Sequence, residues 1–131
     1  MNVHLFDSSA IINLCGKKNI NPLLGGSTLD LAFYEIGNAI WKQVFSFKIY
    51  TMKEGEIVLG AITDVLQRMK IIDEMTPIEI LRLAVKTSLT FYDAAFLNAT
   101  ITNNLTLVTD DKRFSKISKK FVTTTSSNIF K

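Results

Sequence analysis

The sequence holds one cysteine, one histidine, two prolines and six glycines in 131 residues. A lone cysteine, Cys15, excludes an intramolecular disulfide and a cysteine-based metal site. It reads as a small buried apolar side chain in a reducing, cytoplasmic compartment. With so little histidine and cysteine, zinc chemistry has no ligands to draw on. The low proline and glycine content excludes collagen-like and low-complexity chains. No segment approaches the roughly 18 uninterrupted apolar residues that would span a bilayer. The N-terminal apolar stretch is short and broken by Asp7, so it does not read as a signal peptide. Internal repeats and linkers are also missing.

What is present is enough for one packed core. The chain is 47% hydrophobic and 21% charged, and its length predicts a single domain over residues 1–131. Fifteen Lys and Arg face twelve Asp and Glu, a net charge of +3. This mild basicity is compatible with a polyanionic partner and does not by itself argue for one.

Short β runs alternate with helical stretches. Residues 3–6 form an apolar run that ends at Asp7 and predicts a strand. Ser8 or Ser9 is the expected cap of a helix through Ala10, Ile11, Ile12 and Leu14. Residues 21–27, with Pro22, Gly25 and Gly26, read as a loop. Helical spacing of Ile36, Ala39, Ile40 and Val44 predicts a helix over 31–47, and Ile57, Ala61, Val65 and Leu66 another over 53–69. A second strand is expected at 70–73. Thr76, Pro77 and Glu79 make a helix start with cap, first-turn proline and reaching glutamate. Thr90 opens a further helix with Asp93 in its first turn, ending at Asn103 and Asn104. A third strand is expected at 105–109, a short basic helix at 112–119, and a fourth strand at 121–124. The tail is polar, but Ile129 and Phe130 predict a docked end.

Strands separated by helices require crossover connections. The fold class expected is therefore α/β: three layers, α/β/α, with a mainly parallel central sheet of four to five strands. Ligands bind such sheets beyond the carboxyl ends of the strands, where strand order reverses. Asp7, Asp110 and Asp111 follow directly on predicted strands, and Glu35 and Asp93 lie in early helical turns. The fold can gather these distant acids at one edge.

Four pieces carry a family likeness in their order and spacing: LFDSSAII, FYEIGNAIW, TFYDAAFL and LVTDDKRF. Together they resemble the PIN-domain nucleases, and among them the VapC-type toxins of type II toxin–antitoxin pairs. The resemblance covers essentially the whole chain. It implies a catalytic and metal-binding set of Asp7, Glu35, Asp93 and Asp111, with Ser9, Asn38 and Thr109 as polar helpers. It further implies Mg²⁺ or Mn²⁺ as cofactor and cleavage of single-stranded regions of RNA. An antitoxin protein encoded next door and a homodimer are the implied partners, with no membrane. Asp110 is a departure, a fifth acid where the family is variable.

The chemistry is coherent on its own terms. Four gathered carboxylates repel, so their pKa values rise, and hard divalent cations relieve that repulsion through oxygen ligands. One metal, or a pair about 4 Å apart, holds a scissile phosphate and activates a water. Asp7, fixed at a strand end, is the expected central ligand, with Asp93 beside it. Glu35 is expected to bind metal or to act as base through a water. Asn38 lies one turn on and is expected to orient Glu35, and Lys42 another turn on to reach a phosphate. Strand alternation puts Asp111 on the side of Thr109 and leaves Asp110 to act only indirectly. Lys112, Arg113, Lys116, Lys119 and Lys120 make a basic stripe beside Asp111. It is either a solvated helix face or a low-specificity contact for RNA phosphates. His4 reads as a core imidazole. Phe33, Tyr34, Trp41, Phe45 and Phe47 read as core or dimer surface rather than a base-stacking platform.

Other readings are weaker. Aspartate-based phosphatases use a second Asp two residues after the first, where Ser9 stands. Receiver domains carry their acidic pair near the first strand and need a late lysine. The remaining alternatives are a housekeeping RNA-processing PIN nuclease without antitoxin, and a non-catalytic PIN-like module that binds RNA or protein.

Overall fold

The computed structural model describes residues 3–73 and 76–131. Five parallel strands form one sheet: β1 (His4–Phe6), β2 (Ser27–Thr28), β3 (Lys70–Ile71), β4 (Thr106–Val108) and β5 (Thr124–Thr125), in the spatial order β3-β2-β1-β4-β5. The helices are α1 (Ser8–Gly16), α2 (Asn21–Leu24), α3 (Leu31–Trp41), α4 (Met52–Leu66), α5 (Pro77–Thr87), α6 (Phe91–Thr102) and α7 (Lys112–Ser118). A π-helical turn, Lys42–Ser46, extends α3, and a 3₁₀ turn, Ser127–Ile129, follows β5. The three-layer α/β/α expectation holds, with five strands. No helix among the described residues is long and apolar enough to cross a membrane.

The chain walks outward from β1 to β2 to β3, then returns to the other side of β1 for β4 and β5. Right-handed crossovers put α1 to α4 on one face and α5 to α7 on the other. The packing agrees: α1 lies on α3 and α3 on α4, while α5 lies on α6. Strand order therefore reverses between β1 and β4, and the crevice beyond their carboxyl ends is the expected ligand position.

The two central strands are covered on both faces, so they carry consecutive apolar residues rather than alternation. Leu5, Phe6, Leu107 and Val108 are fully buried, with Leu5 opposite Leu107 and Phe6 opposite Val108. β2 lies where a loop is expected from the sequence. Its two residues are polar, and the Thr28 hydroxyl donates to the Phe6 carbonyl at 2.8 Å, so burial leaves that hydroxyl satisfied. Gly26 precedes β2 because a Cβ there would collide with the Phe6 ring. The last strand sits later than the expected 121–124. Pairing of Leu107 with Thr124 and Val108 with Thr125 fixes it at β5, and Phe121 is exposed in the preceding turn.

Two caps differ from expectation. Ser8 and Ser9 lie inside α1, and the cap is Asp7, which accepts from the Ala10 amide at 3.0 Å. Thr76 makes no capping bond to α5; its hydroxyl instead accepts from Asn98 Nδ2 at 2.9 Å, joining α5 to α6. Thr90 caps α6 as expected, and Asp111 caps α7. Of the aromatic set, Phe33 is partly buried. Tyr34, Trp41, Phe45 and Phe47 are exposed, so they are surface rather than core. Trp41 and Phe45 stack on each other at 5.2 Å, one turn apart. His4 is half-buried, its ring packed against Phe6 and edge-on to Phe130.

Candidate active site

Asp7 leaves β1 at the reversal point and is 6% exposed. Its Oδ1 accepts from the Ser9 hydroxyl at 2.7 Å as well as from Ala10, and its Oδ2 accepts from the Thr109 hydroxyl at 2.5 Å. Thr109 follows β4 and is equally buried. The contact therefore joins the ends of β1 and β4 across 102 residues. The ladder continues beside it, with Asp7 N donating to Val108 O at 3.1 Å.

Burial pushes the Asp7 carboxyl up to about 6, against the lowering pull of Thr109, Ala10 and Ser9, and Asp93 pushes the same way as burial. Asp93 is also raised to about 6, first by burial and then by the charges of Asp111 and Glu35, with Arg113 opposing. Glu35 is raised by burial and by Asp7, while a 2.6 Å hydrogen bond from the Ser8 hydroxyl to Oε1 opposes both. Four acids from four elements thus lie within one another's field. An array of this kind marks a functional site more often than a structural one.

The donor chemistry fits a hard divalent cation: oxygen ligands only, with mutual repulsion that an ion would relieve. The arrangement is open rather than closed. Among the described residues no group of three or more His, Cys, Asp or Glu side chains is gathered closely enough to hold a metal ion.

The sequence profile of the PIN domain matches residues 5–120. The chain belongs to the PIN domain family. It is 32% identical over 111 residues to a protein of Pyrobaculum aerophilum named Exonuclease VapC9, covering 83% of this chain and 80% of that one. The fold is similar to the crystal structure of PAE2754 from the same organism, with a TM-score of 0.81 and 29% identity, over 98% of this chain and 94% of that one. The likeness to VapC-type PIN nucleases carried by the four sequence pieces is therefore matched in both sequence and fold.

Within this PIN domain, the expected residues divide. Asp7, Glu35, Asp93 and Asp111 come together electrostatically, and Ser9 and Thr109 touch Asp7 directly. Asn38 is exposed and makes no hydrogen bond to Glu35 among the described residues. Ser8 does that work instead. Ser8 was not expected from sequence, because its partner lies 27 residues away. Lys42 is exposed at the start of the π-helical turn. Arg113 is turned aside: its Nη2 donates at 2.9 Å to the carbonyl of Ser88, the left-handed residue that ends α5. It ties α7 to α5 rather than extending the basic stripe.

Asp110 and Asp111 point to different places. Asp111 caps α7 by accepting from Phe114 N at 2.9 Å and acts on Asp93 through its charge. Asp110 accepts from Asn13 Nδ2 at 2.7 Å, from the Ser127 amide at 2.8 Å and from the Ser127 hydroxyl at 2.5 Å. Burial alone would raise its pKa. The bonds from Ser127 and Asn13, with the charge of Lys17, outweigh burial and hold it below the usual carboxylate range.

Proposed function

We propose that this PIN domain is a divalent-metal-dependent endoribonuclease that cuts single-stranded regions of RNA, and that it is the toxin of a type II toxin–antitoxin pair working in the cytoplasm. The observation that carries the reading is the buried Asp7 carboxylate at the β1/β4 reversal, fixed by Thr109, Ser9 and Ala10 and within the field of Asp93 and Glu35, with Asp111 acting on Asp93 in turn.

Asp7, Asp93, Asp111 and Glu35 are the residues that would hold Mg²⁺ or Mn²⁺. A bound ion supplies positive charge against the acids and the phosphate, and acidifies a water. The protein's own part is positional. Ser9 and Thr109 donate to opposite oxygens of Asp7, which stops that carboxylate from rotating. Ser8 donates to Oε1 of Glu35 and leaves Oε2 to face a metal ion or a water that it would activate as base.

Partner binding has a natural place. A groove of about 790 Å³ lies between α1, α3 and α4, lined by Ile12, Ile40, Val58, Ile62 and Val65. An antitoxin would cover this apolar surface and reach the acids with an arginine, which holds carboxylates bidentately. Co-expression with the neighbouring reading frame should yield a complex of reduced nuclease activity. A partner that binds without inhibition argues for the housekeeping nuclease.

The similar protein named an exonuclease supports a second reading, in which cleavage starts from an end. Linear and circular single-stranded RNA separate the two. With Mn²⁺ or Mg²⁺ both should be cut, and EDTA should stop both. An intact circle beside degraded linear RNA selects the exonuclease. No cleavage under any metal overturns the nuclease reading.

A further inference from the structure

The ribonuclease reading leaves open where the RNA strand runs once it leaves the acids. Beside them lies a second cleft, of about 550 Å³, between α7 and the C-terminal 3₁₀ turn. Lys112, Lys116 and Lys119 line it. At spacings of four and three residues they share one face of α7 and span about 10 Å along its axis. All three are exposed, and no hydrogen bond or ion pair engages their ammonium groups among the described residues. Arg113, off that face, is held by Ser88.

The negative charge in the same cleft is already committed. Asp110 takes three donors from Asn13 and Ser127, and Asp111 takes the Phe114 amide. Asp110 thereby does a different job from its neighbour. It latches the 3₁₀ turn down as the opposite wall, where Ser126 and Asn128 present polar groups. Lys17 donates to Asn128 Oδ1 at 3.1 Å and adds a fourth cation at that wall. The latch is reinforced by Phe130, whose ring lies against His4 and Phe6 and whose carbonyl accepts from Asn19. The floor includes Thr109 and Asp111, so the cleft opens directly onto the candidate active site.

We infer that this cleft is a phosphate track, in which Lys112, Lys116 and Lys119 hold the backbone of the RNA strand next to the scissile position. Contacts of this kind give affinity and register without base specificity. The inference rests on the ribonuclease reading and goes beyond it by fixing the strand's path.

The test uses the full chain carrying Lys116→Gln with Lys119→Gln, and a charge-matched control carrying Lys53→Gln with Lys70→Gln. The control residues lie on α4 and on β3, at the opposite edge of the sheet. Single-stranded RNA binding is followed by fluorescence anisotropy in EDTA across a salt series, and cleavage by steady-state kinetics with Mn²⁺. The cleft variant should bind about tenfold more weakly than wild type, and its slope of log K against log salt should fall by about 1.4. Its loss in cleavage should appear in KM rather than kcat, and the control should stay near wild type. Equal affinity and slope in cleft variant and control, with wild-type cleavage intact, overturn the track and leave the ribonuclease standing. If wild type neither binds nor cuts RNA, the ribonuclease reading fails and the track falls with it.

Discussion

Asp110 and Asp111 are adjacent, yet they belong to two regions of opposite character. Asp111 acts by its charge on Asp93, which belongs with Asp7 and Glu35 to an acidic centre where the pKa values of those three carboxyls rise. Asp110 joins a latch in which the neighbours are Asn13, Ser127 and Lys17, and there the pKa falls. The residue type is the same and the sequence separation is one. Asp7 and Asp93 are raised chiefly by burial, whereas at Asp110 the donors of Ser127 and Asn13 and the charge of Lys17 outweigh it. Charging the centre at neutral pH therefore costs stability, whereas the latch is stabilising and closed.

The largest expected effect is at the heart of the centre. Asp7→Asn should lower RNA cleavage about 10³-fold, since an ion and its activated water are together worth several kcal/mol. It should stay folded by circular dichroism. At pH 7.5 it should also melt higher than wild type. A carboxyl raised from 3.8 to about 6 is disfavoured in its charged form by up to about 3 kcal/mol. Full activity in this variant would remove the centre from the mechanism.

Thr109→Val comes next. It deletes the donor to Asp7 Oδ2 at nearly constant shape and should cost about 10- to 100-fold in Mn²⁺ affinity or cleavage. Calorimetric titration reads the affinity. An unchanged affinity would mean that Asp7 needs no positioning.

The third test sets the neighbours against each other. Asp111→Asn should weaken Mn²⁺ binding more than Asp110→Asn. Asp110→Asn should instead lower stability by about 1–3 kcal/mol in urea unfolding, because it leaves the Asn13 and Ser127 donors poorly matched. A larger loss of metal affinity for Asp110→Asn would invert the assignment.

The smallest effect is the sharpest in sign. Asp7 and Asp93 have folded pKa values above 3.8. Their contribution to stability is complete below about 4 and is lost as pH rises through about 6, and the two titrate as a coupled pair. Asp110 has a lowered folded pKa. Its contribution is present above about 4 and is lost as pH falls through that lowered value. The Tm gain of Asp7→Asn should therefore vanish by pH 4, and the Tm loss of Asp110→Asn should vanish only in stronger acid. Parallel pH profiles for the two variants would erase the distinction between the regions.

The sequence by itself determined what depends on neighbours along the chain. Consecutive apolar residues at β1 and β4 mark central strands, because only a strand covered on both faces can afford them. Thr90 and Asp111 announce their helices, since a cap bonds to an amide three residues on. The four acids were legible through their place after strands and in early helical turns, whereas β4 ends at Val108 and the different partners of Asp110 and Asp111 come from the loop beyond it. Tertiary structure alone decided what depends on residues far apart. β2 is two polar residues that become a strand only because Phe6 lies beside them. Ser8 finds Glu35, Thr109 finds Asp7, Arg113 finds Ser88 and Asp110 finds Ser127, across separations of 27, 102, 25 and 17 residues. A hydrogen bond reaches about 3 Å, so its partner is chosen by which elements the sheet order brings together. In this chain that order reverses between β1 and β4, and there the acids and their donors meet.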